Sequence, residues 1–192
     1  MNTLEVIAGR RSIRKFQDKP LPDEVVAQIL EAATLAPSGK NSQPWRFYVV
    51  REDKRDQMVR VMREGMAHAQ EAGVPLGSAE WTARIMERAP VTVFVFNAAT
   101  LAVEHNLEDA EPSLLNLVDV QSVGAAIQTM LLAAFELGVG SLWICDVFYA
   151  YQELTAWLGE THQMIAAVSL GYPDEAPGPR PRKAVSEVTT WV

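Results

Sequence analysis

Only one of the 192 residues is cysteine, Cys145, and only three are histidine. A single thiol excludes an internal disulfide framework. His68, His105 and His162 are far apart and lack a second ligand at metal spacing, so solvated surface histidines are expected and a metal centre is not. No dinucleotide-binding glycine fingerprint follows a strand: Gly138-Val139-Gly140 comes after a helical run, and Trp143 stands where the third glycine belongs. No Walker A pattern occurs. Ser12 has no neighbouring histidine to activate it, which argues against nucleophilic catalysis. Cys145 falls in an apolar run, where a small buried hydrophobe is the expectation. Residues 1–14 carry no apolar run of signal-peptide length and no stretch of 18 apolar residues occurs, so the cytosol is expected and a membrane partner is not. If the chain is an enzyme, its difficult chemistry belongs to a bound cofactor.

Positive charge is also scarce. The net charge of −7 argues against a nucleic-acid-binding surface. Two clusters gather much of the basic charge: Arg10, Arg11, Arg14 and Lys15 around Ser12, then Arg180, Arg182 and Lys183. Together they hold 7 of the 17 Lys and Arg residues, leaving 10 basic against 24 acidic residues elsewhere, a balance of −14. Guanidinium forks match phosphate oxygens bidentately, and a serine hydroxyl adds a neutral hydrogen bond. This concentration suits a small anionic ligand such as a phosphate monoester.

A hydrophobic content of 48% supports one domain over residues 1–192 with a substantial core. Asn2 and Glu5 have capping-box spacing, and Gly9 is placed to end the helix they start. Residues 10–16 read as extended. Val25, Val26, Ile29, Leu30 and Ala33 mark one face of a second helix from Asp23, which Pro37 ends. A polar loop, 38–43, feeds a strand at 45–50. Helices over 53–72 and up to Arg88 are separated by a break at 73–77. The apolar run 91–96 reads as a strand covered on both faces, and 100–112 as an acidic surface excursion. The longest helix, 113–137, is apolar around most of its circumference, which suits a central position, and Gly138 closes it. A strand at 141–145, a helix at 151–158 and a strand at 165–170 follow, then a proline-rich arm, 173–192, with an apolar end. The class is α+β or mixed α/β.

The runs Arg10-Arg11-Ser12-Ile13-Arg14-Lys15-Phe16 and Ala36-Pro37-Ser38-Gly39-Lys40-Asn41-Ser42-Gln43-Pro44-Trp45 resemble the FMN-dependent nitroreductase family. Residues 124–143, with Gln128, Leu137-Gly138 and Gly140, look like its central helix and following strand. Leu170-Gly171-Tyr172-Pro173 with Arg180-Pro181-Arg182-Lys183 is similar to its C-terminal segment. The resemblance implies an α+β fold with a central mixed or antiparallel sheet of four to five strands surrounded by helices, in an intertwined homodimer holding FMN at the subunit interface. It implies phosphate and ribityl contacts from Arg10, Arg11, Ser12, Arg180 and Arg182, and a cation near flavin N1 and O2 in Arg14. Pro37, Ser38, Asn41 and Gln43 would reach the flavin from the other subunit. The backbone of Trp143, Ile144 and Cys145 would face the N5 and O4 edge. The implied activity is NAD(P)H-dependent reduction of electron-poor aromatics, nitroarenes or quinones, by a ping-pong mechanism, with NADH or NADPH as donor and no catalytic side chain. Same-fold chemistry with oxygen, dehalogenation or heterocycle oxidation, and a non-catalytic flavin-binding module, are the alternatives. Two departures stand out: Gly39 where a second serine is frequent, and Cys145 where many members have glycine.

Overall fold

A computed structural model describes residues 2–101 and 114–192. Four antiparallel strands form one sheet in the order β1-β2-β4-β3. They are β1 (Trp45–Arg51), β2 (Val91–Leu101), β3 (Gly140–Ile144) and β4 (His162–Gly171). Around them lie α1 (Thr3–Gly9), α2 (Asp23–Thr34), α3 (Asp53–Glu71), α4 (Ala79–Arg88), α5 (Leu114–Glu136), α6 (Tyr151–Leu158) and a short α7 (Val185–Val188). The fold is α+β, a four-stranded antiparallel sheet surrounded by helices.

The period-two pattern of β2 divides the core. Val91, Val93 and Val95 face one way and pack with Ile29 of α2 and Ile127 and Met130 of α5. Phe94 and Phe96 face the other way, among Met58 and Met62 of α3, Met86 of α4 and Leu154 of α6. With both faces covered, the whole run 91–97 is buried, as its near-continuous apolar character predicts. By length and composition alone α5 could cross a bilayer. Val123, Ala126, Ile127, Met130 and Ala134 are instead buried in the core, while Leu114, Leu115, Leu117 and Val118 at its start stand exposed on the single chain.

Several boundaries differ from expectation. Gly9 is the last helical residue, not a left-handed terminator, and Arg10 follows it in an extended conformation. A Cβ at position 9 would lie 2.6 Å from the Phe135 ring, so close packing on α5 explains the glycine. Thr100 and Leu101 belong to β2 and not to a surface excursion, the rest of which lies outside the described residues. Strand β4 begins at His162 because that part of it still pairs with β2. The expected strand at 141–145 stops at Ile144, and a 3₁₀ turn, Asp146–Ala150, follows. The Asn2–Glu5 capping box and the left-handed Gly138 are present as expected.

Candidate functional site

Arginines of the two basic clusters, at least 165 residues apart in sequence, meet in one cleft of about 540 Å³ lined by Arg10, Arg11, Ser12, Arg14, Arg180 and Arg182. Two local pairings bring them together. Residues 12 and 13 run alongside the start of β3: Ser12 bridges Ser141, and the Ile13 N–H donates to the Ser141 carbonyl at 3.0 Å. Phe16 bridges Pro173, the Gln17 N–H donates to the Tyr172 carbonyl at 2.9 Å, and the Asp174 N–H to the Lys15 carbonyl at 2.9 Å. The Glu175 carboxylate accepts from the backbone N–H groups of Arg14 and Lys15. The arm is thereby stapled antiparallel to residues 14–17, and the chain beyond it is carried back over α1.

The electrostatics are those of an anion site. Partial burial, then repulsion from Arg182 and Arg11, pushes the Arg10 guanidinium below its ordinary range. Among the described residues no ion pair involves Arg10, Arg11, Arg14, Arg180 or Arg182. The Arg11 Nη1 turns back onto the end of α1, donating to the carbonyls of Ala8 at 2.7 Å and Arg10 at 2.9 Å. Like charges whose guanidinium groups have no ion pair among the described residues are stabilised when an anion enters. The donor set fits a phosphate monoester such as the end of FMN: unpaired planar guanidinium forks beside a half-buried hydroxyl. Lys15 and Lys183 do not line the cleft.

The other residues indicated by sequence sit elsewhere on the chain. Pro37, Ser38, Asn41 and Gln43 do not line the cleft; their loop touches α5 through Gly39. The Gly39 N–H donates to Ser122 Oγ at 3.2 Å, and Ser38 Oγ accepts from the Gln43 N–H at 3.0 Å. Lys40, Asn41 and Gln43 all have positive φ, at 53°, 56° and 47°, a conformation that costs free energy at non-glycine residues and concentrates at functional loops. A Cβ at Gly39 would lie 2.4 Å from Val118 Cγ1, so a second serine has no room here.

Trp143, two residues past Ser141, lies about 7 Å along β3 from the point where Ser12 joins it. It is part-exposed and approaches Gly124 of α5. The Ile144 side chain is buried in the core, leaving only its backbone for a ligand. As an edge strand, β3 carries backbone groups on its outer side that no described strand pairs with past Ser141. Cys145 corrects the expectation of a buried strand thiol: it lies past the strand end and is exposed. Its φ of −103° is ordinary, so this backbone needs no glycine. Local desolvation holds the thiol above its usual range and Asp146 adds to this, against a hydrogen bond with Trp143 that lowers it. Such a thiol is a weak nucleophile near neutral pH and reacts as pH rises.

Sequence reasoning missed a polar cluster at the far end of the sheet. Glu160, its side chain 3% exposed, accepts from Tyr48 Oη at 2.9 Å, Arg46 Nη1 at 3.1 Å and His162 Nδ1 at 2.6 Å. It also accepts from the N–H groups of Thr161 and His162. His162 is therefore no solvated histidine; His68, bonded to Glu153 Oε1 at 2.7 Å, is the exposed one. His105 lies outside the described residues. No group of three or more metal-ligating side chains occurs among the described residues.

The sequence profile of the nitroreductase family matches residues 7–172. A Methanothermobacter thermautotrophicus protein with the provisional name NADH dehydrogenase/NAD(P)H nitroreductase is 32% identical over 186 residues, 94% of this chain and 82% of its own. A provisionally named nitroreductase from Desulfovibrio desulfuricans, solved in complex with FMN, aligns over 100% of this chain and 98% of its own at 31% identity and a TM-score of 0.75. A BluB-like flavoprotein from Clostridium difficile 630 aligns over 100% and 99% at 28% identity and a TM-score of 0.77. With the matched segment running from α1 to the end of β4 and the solved relatives superposing over the full chain, this protein belongs to the nitroreductase family.

Proposed function

We propose that the protein is an FMN-dependent NAD(P)H oxidoreductase that reduces electron-poor aromatics, nitroarenes or quinones, by a ping-pong mechanism, as a homodimer in the cytosol. The observation that carries this reading is the meeting of arginines from both basic clusters around Ser12. The FMN complex of the Desulfovibrio desulfuricans relative supports the choice of ligand. Bound FMN would supply a hydride acceptor for NADH or NADPH and a two-electron donor for the acceptor substrate. Arg10, Arg11, Ser12, Arg180 and Arg182 hold the phosphate and ribityl end, and Arg14 places a fixed cation that favours the negative charge gained on reduction. The backbone of Trp143, Ile144 and Cys145 orients the ring edge. The loop with Pro37, Ser38, Asn41 and Gln43, absent from the cleft of its own chain, serves the site of the second subunit. Orientation and electrostatics are the protein's contribution.

The test is an absorbance spectrum of the purified chain after incubation with FMN and gel filtration, then anaerobic titration with NADH and with NADPH. A yellow protein bleached by at least one donor and reoxidised by a nitroarene or quinone faster than by oxygen alone is the expected result. A colourless protein refutes flavin binding, and reoxidation by oxygen alone points to a different chemistry on the same fold.

The arm bears on assembly. Val185, Val188 and Trp191 are exposed on the single chain, Trp191 to 90%, although Val185–Val188 forms a helical turn. Ordering nine residues costs on the order of 10 kcal/mol of backbone entropy, which only a substantial buried surface offsets. A partner subunit supplies one, and the exposed start of α5 offers a matching apolar face. Deleting residues 184–192 is expected to lower dimer stability and FMN retention together, as read by sedimentation and flavin absorbance. A truncated chain that stays dimeric, yellow and equally heat-stable would show that the arm has no such role.

A further inference from the structure

Asp146 follows directly on the ring-edge segment Trp143–Cys145 and opens the turn Asp146–Ala150. Its Oδ2 accepts two hydroxyl hydrogen bonds, from Ser78 Oγ at 3.0 Å and Thr82 Oγ1 at 2.5 Å. Both donors come from the start of α4. Ser78 occupies the N-cap position, yet its side chain makes no capping bond to its own helix; it serves the carboxylate instead. Thr82 is 7% exposed, and Ala79, Ala83, Ile85 and Met86 root the helix in the core below it. No ion pair among the described residues involves Asp146. Its charge is held by neutral donors on a rigid element, one residue from the segment assigned to the flavin edge.

We propose that Asp146 is a positioning residue which, through Ser78 and Thr82, locks the segment Trp143–Cys145 onto α4 and fixes a negative charge beside the ring edge of bound flavin. The inference rests on the flavin-binding reading above. A flavin gains negative charge when reduced, so a fixed carboxylate nearby disfavours the reduced form and holds the reduction potential down. Arg14 acts in the opposite sense, and Asp146 offsets it. The charge also acts on Cys145, the side chain before it, raising that thiol. Cys145 is therefore a reporter that needs no flavin.

The experiment compares the full-length wild type, Asp146→Asn and Ser78→Ala/Thr82→Val. Three quantities are measured: the FMN midpoint potential, the FMN dissociation constant, and the pH dependence of Cys145 alkylation by iodoacetamide with and without FMN. Asp146→Asn keeps size and an acceptor oxygen but removes the charge. It is expected to raise the potential and to move the alkylation midpoint to lower pH, with FMN affinity changed by less than about threefold because the phosphate contacts are intact. Ser78→Ala/Thr82→Val keeps the charge but frees the turn, and is expected to speed alkylation at every pH and to alter the visible flavin band. Should Asp146→Asn fail to fold, Asp146→Ser removes the same charge and is read in the same way, and Ser78→Ala alone, at an exposed position, gives the direction of the double variant at smaller amplitude. An unchanged potential in an FMN-loaded Asp146→Asn overturns the electrostatic role, and unchanged alkylation in every variant overturns the clamp. A wild type that binds no FMN refutes the flavin reading and the electrostatic role with it, while the alkylation profiles still decide the clamp.

Discussion

Arg10→Ala and Arg182→Ala are each expected to weaken FMN binding strongly. A charge-assisted phosphate contact in a partly desolvated cleft contributes roughly 1.5–3 kcal/mol, or about ten- to a hundredfold in affinity. The two positions should not be equivalent. Arg10 is half-buried and repelled by Arg182 and Arg11, so its removal also relieves repulsion in the empty cleft and offsets part of the loss. Arg182 is exposed and donates to the backbone carbonyls of Arg180 and Pro181, at 3.4 and 3.1 Å; its removal relieves only its own repulsion with Arg10, so the net loss of affinity should be the larger of the two. Isothermal titration with FMN and with riboflavin separates the contributions. Both variants should lose FMN affinity and leave riboflavin affinity nearly unchanged, since riboflavin has no phosphate. Equal losses for the two ligands would place the phosphate elsewhere. Raising salt should weaken FMN binding in the wild type more than in either variant.

The second large effect is on stability and involves no ligand. Burial alone would raise the Glu160 pKa, but hydrogen bonds from His162, Thr161 and Tyr48 outweigh it and bring it to about 2. The unfolded chain titrates near the ordinary glutamate value, about 4.3. A carboxyl depressed on folding contributes stability that is fully present above the unfolded pKa and is lost as pH falls through the folded one. Here that loss begins below about pH 5 and is complete near pH 2, and the difference between the two pKa values corresponds to roughly 3 kcal/mol. Glu160→Gln keeps the shape, removes the charge and leaves Arg46, Tyr48 and His162 with a weaker acceptor. Urea denaturation should show the variant less stable by about 2–3 kcal/mol at pH 7, with the gap closing as pH falls from 5 to 2. A gap that is constant with pH would mean that the charge of Glu160 contributes nothing to the fold.

Much of the fold is legible in local chemistry. The capping box at Asn2 and Glu5, the left-handed Gly138 and the three- and four-residue spacing of Val26, Ile29 and Ala33 act within a turn or two of themselves. Chain-local energetics places those elements correctly. The apolar run of β2 likewise marks a strand buried on both faces, because only a covered sheet tolerates apolar side chains at every position. The basic clusters are legible as charge, since 7 of the 17 basic residues in two short segments need no structure to be seen.

Other features depend on neighbours distant in sequence. Gly9 looks like a helix terminator until Phe135 is found against it, and Gly39 looks like a lost serine until Val118 is. Cys145 has the composition of a strand interior, but β3 ends at Ile144 and leaves the thiol exposed. Glu160 depends on neighbours near and far: His162 and Thr161 hold its pKa down together with a tyrosine 112 residues earlier, and an arginine 114 residues earlier pairs with it. The sequence by itself determined which residues carry positive charge and which segments are helix or strand, because those properties are covalent or short-range. Only the tertiary structure decided that Arg10 and Arg182 share one cleft and that Asp146 is held by Ser78 and Thr82, because the order of the strands and the pairing of Phe16 with Pro173 determine which distant groups meet.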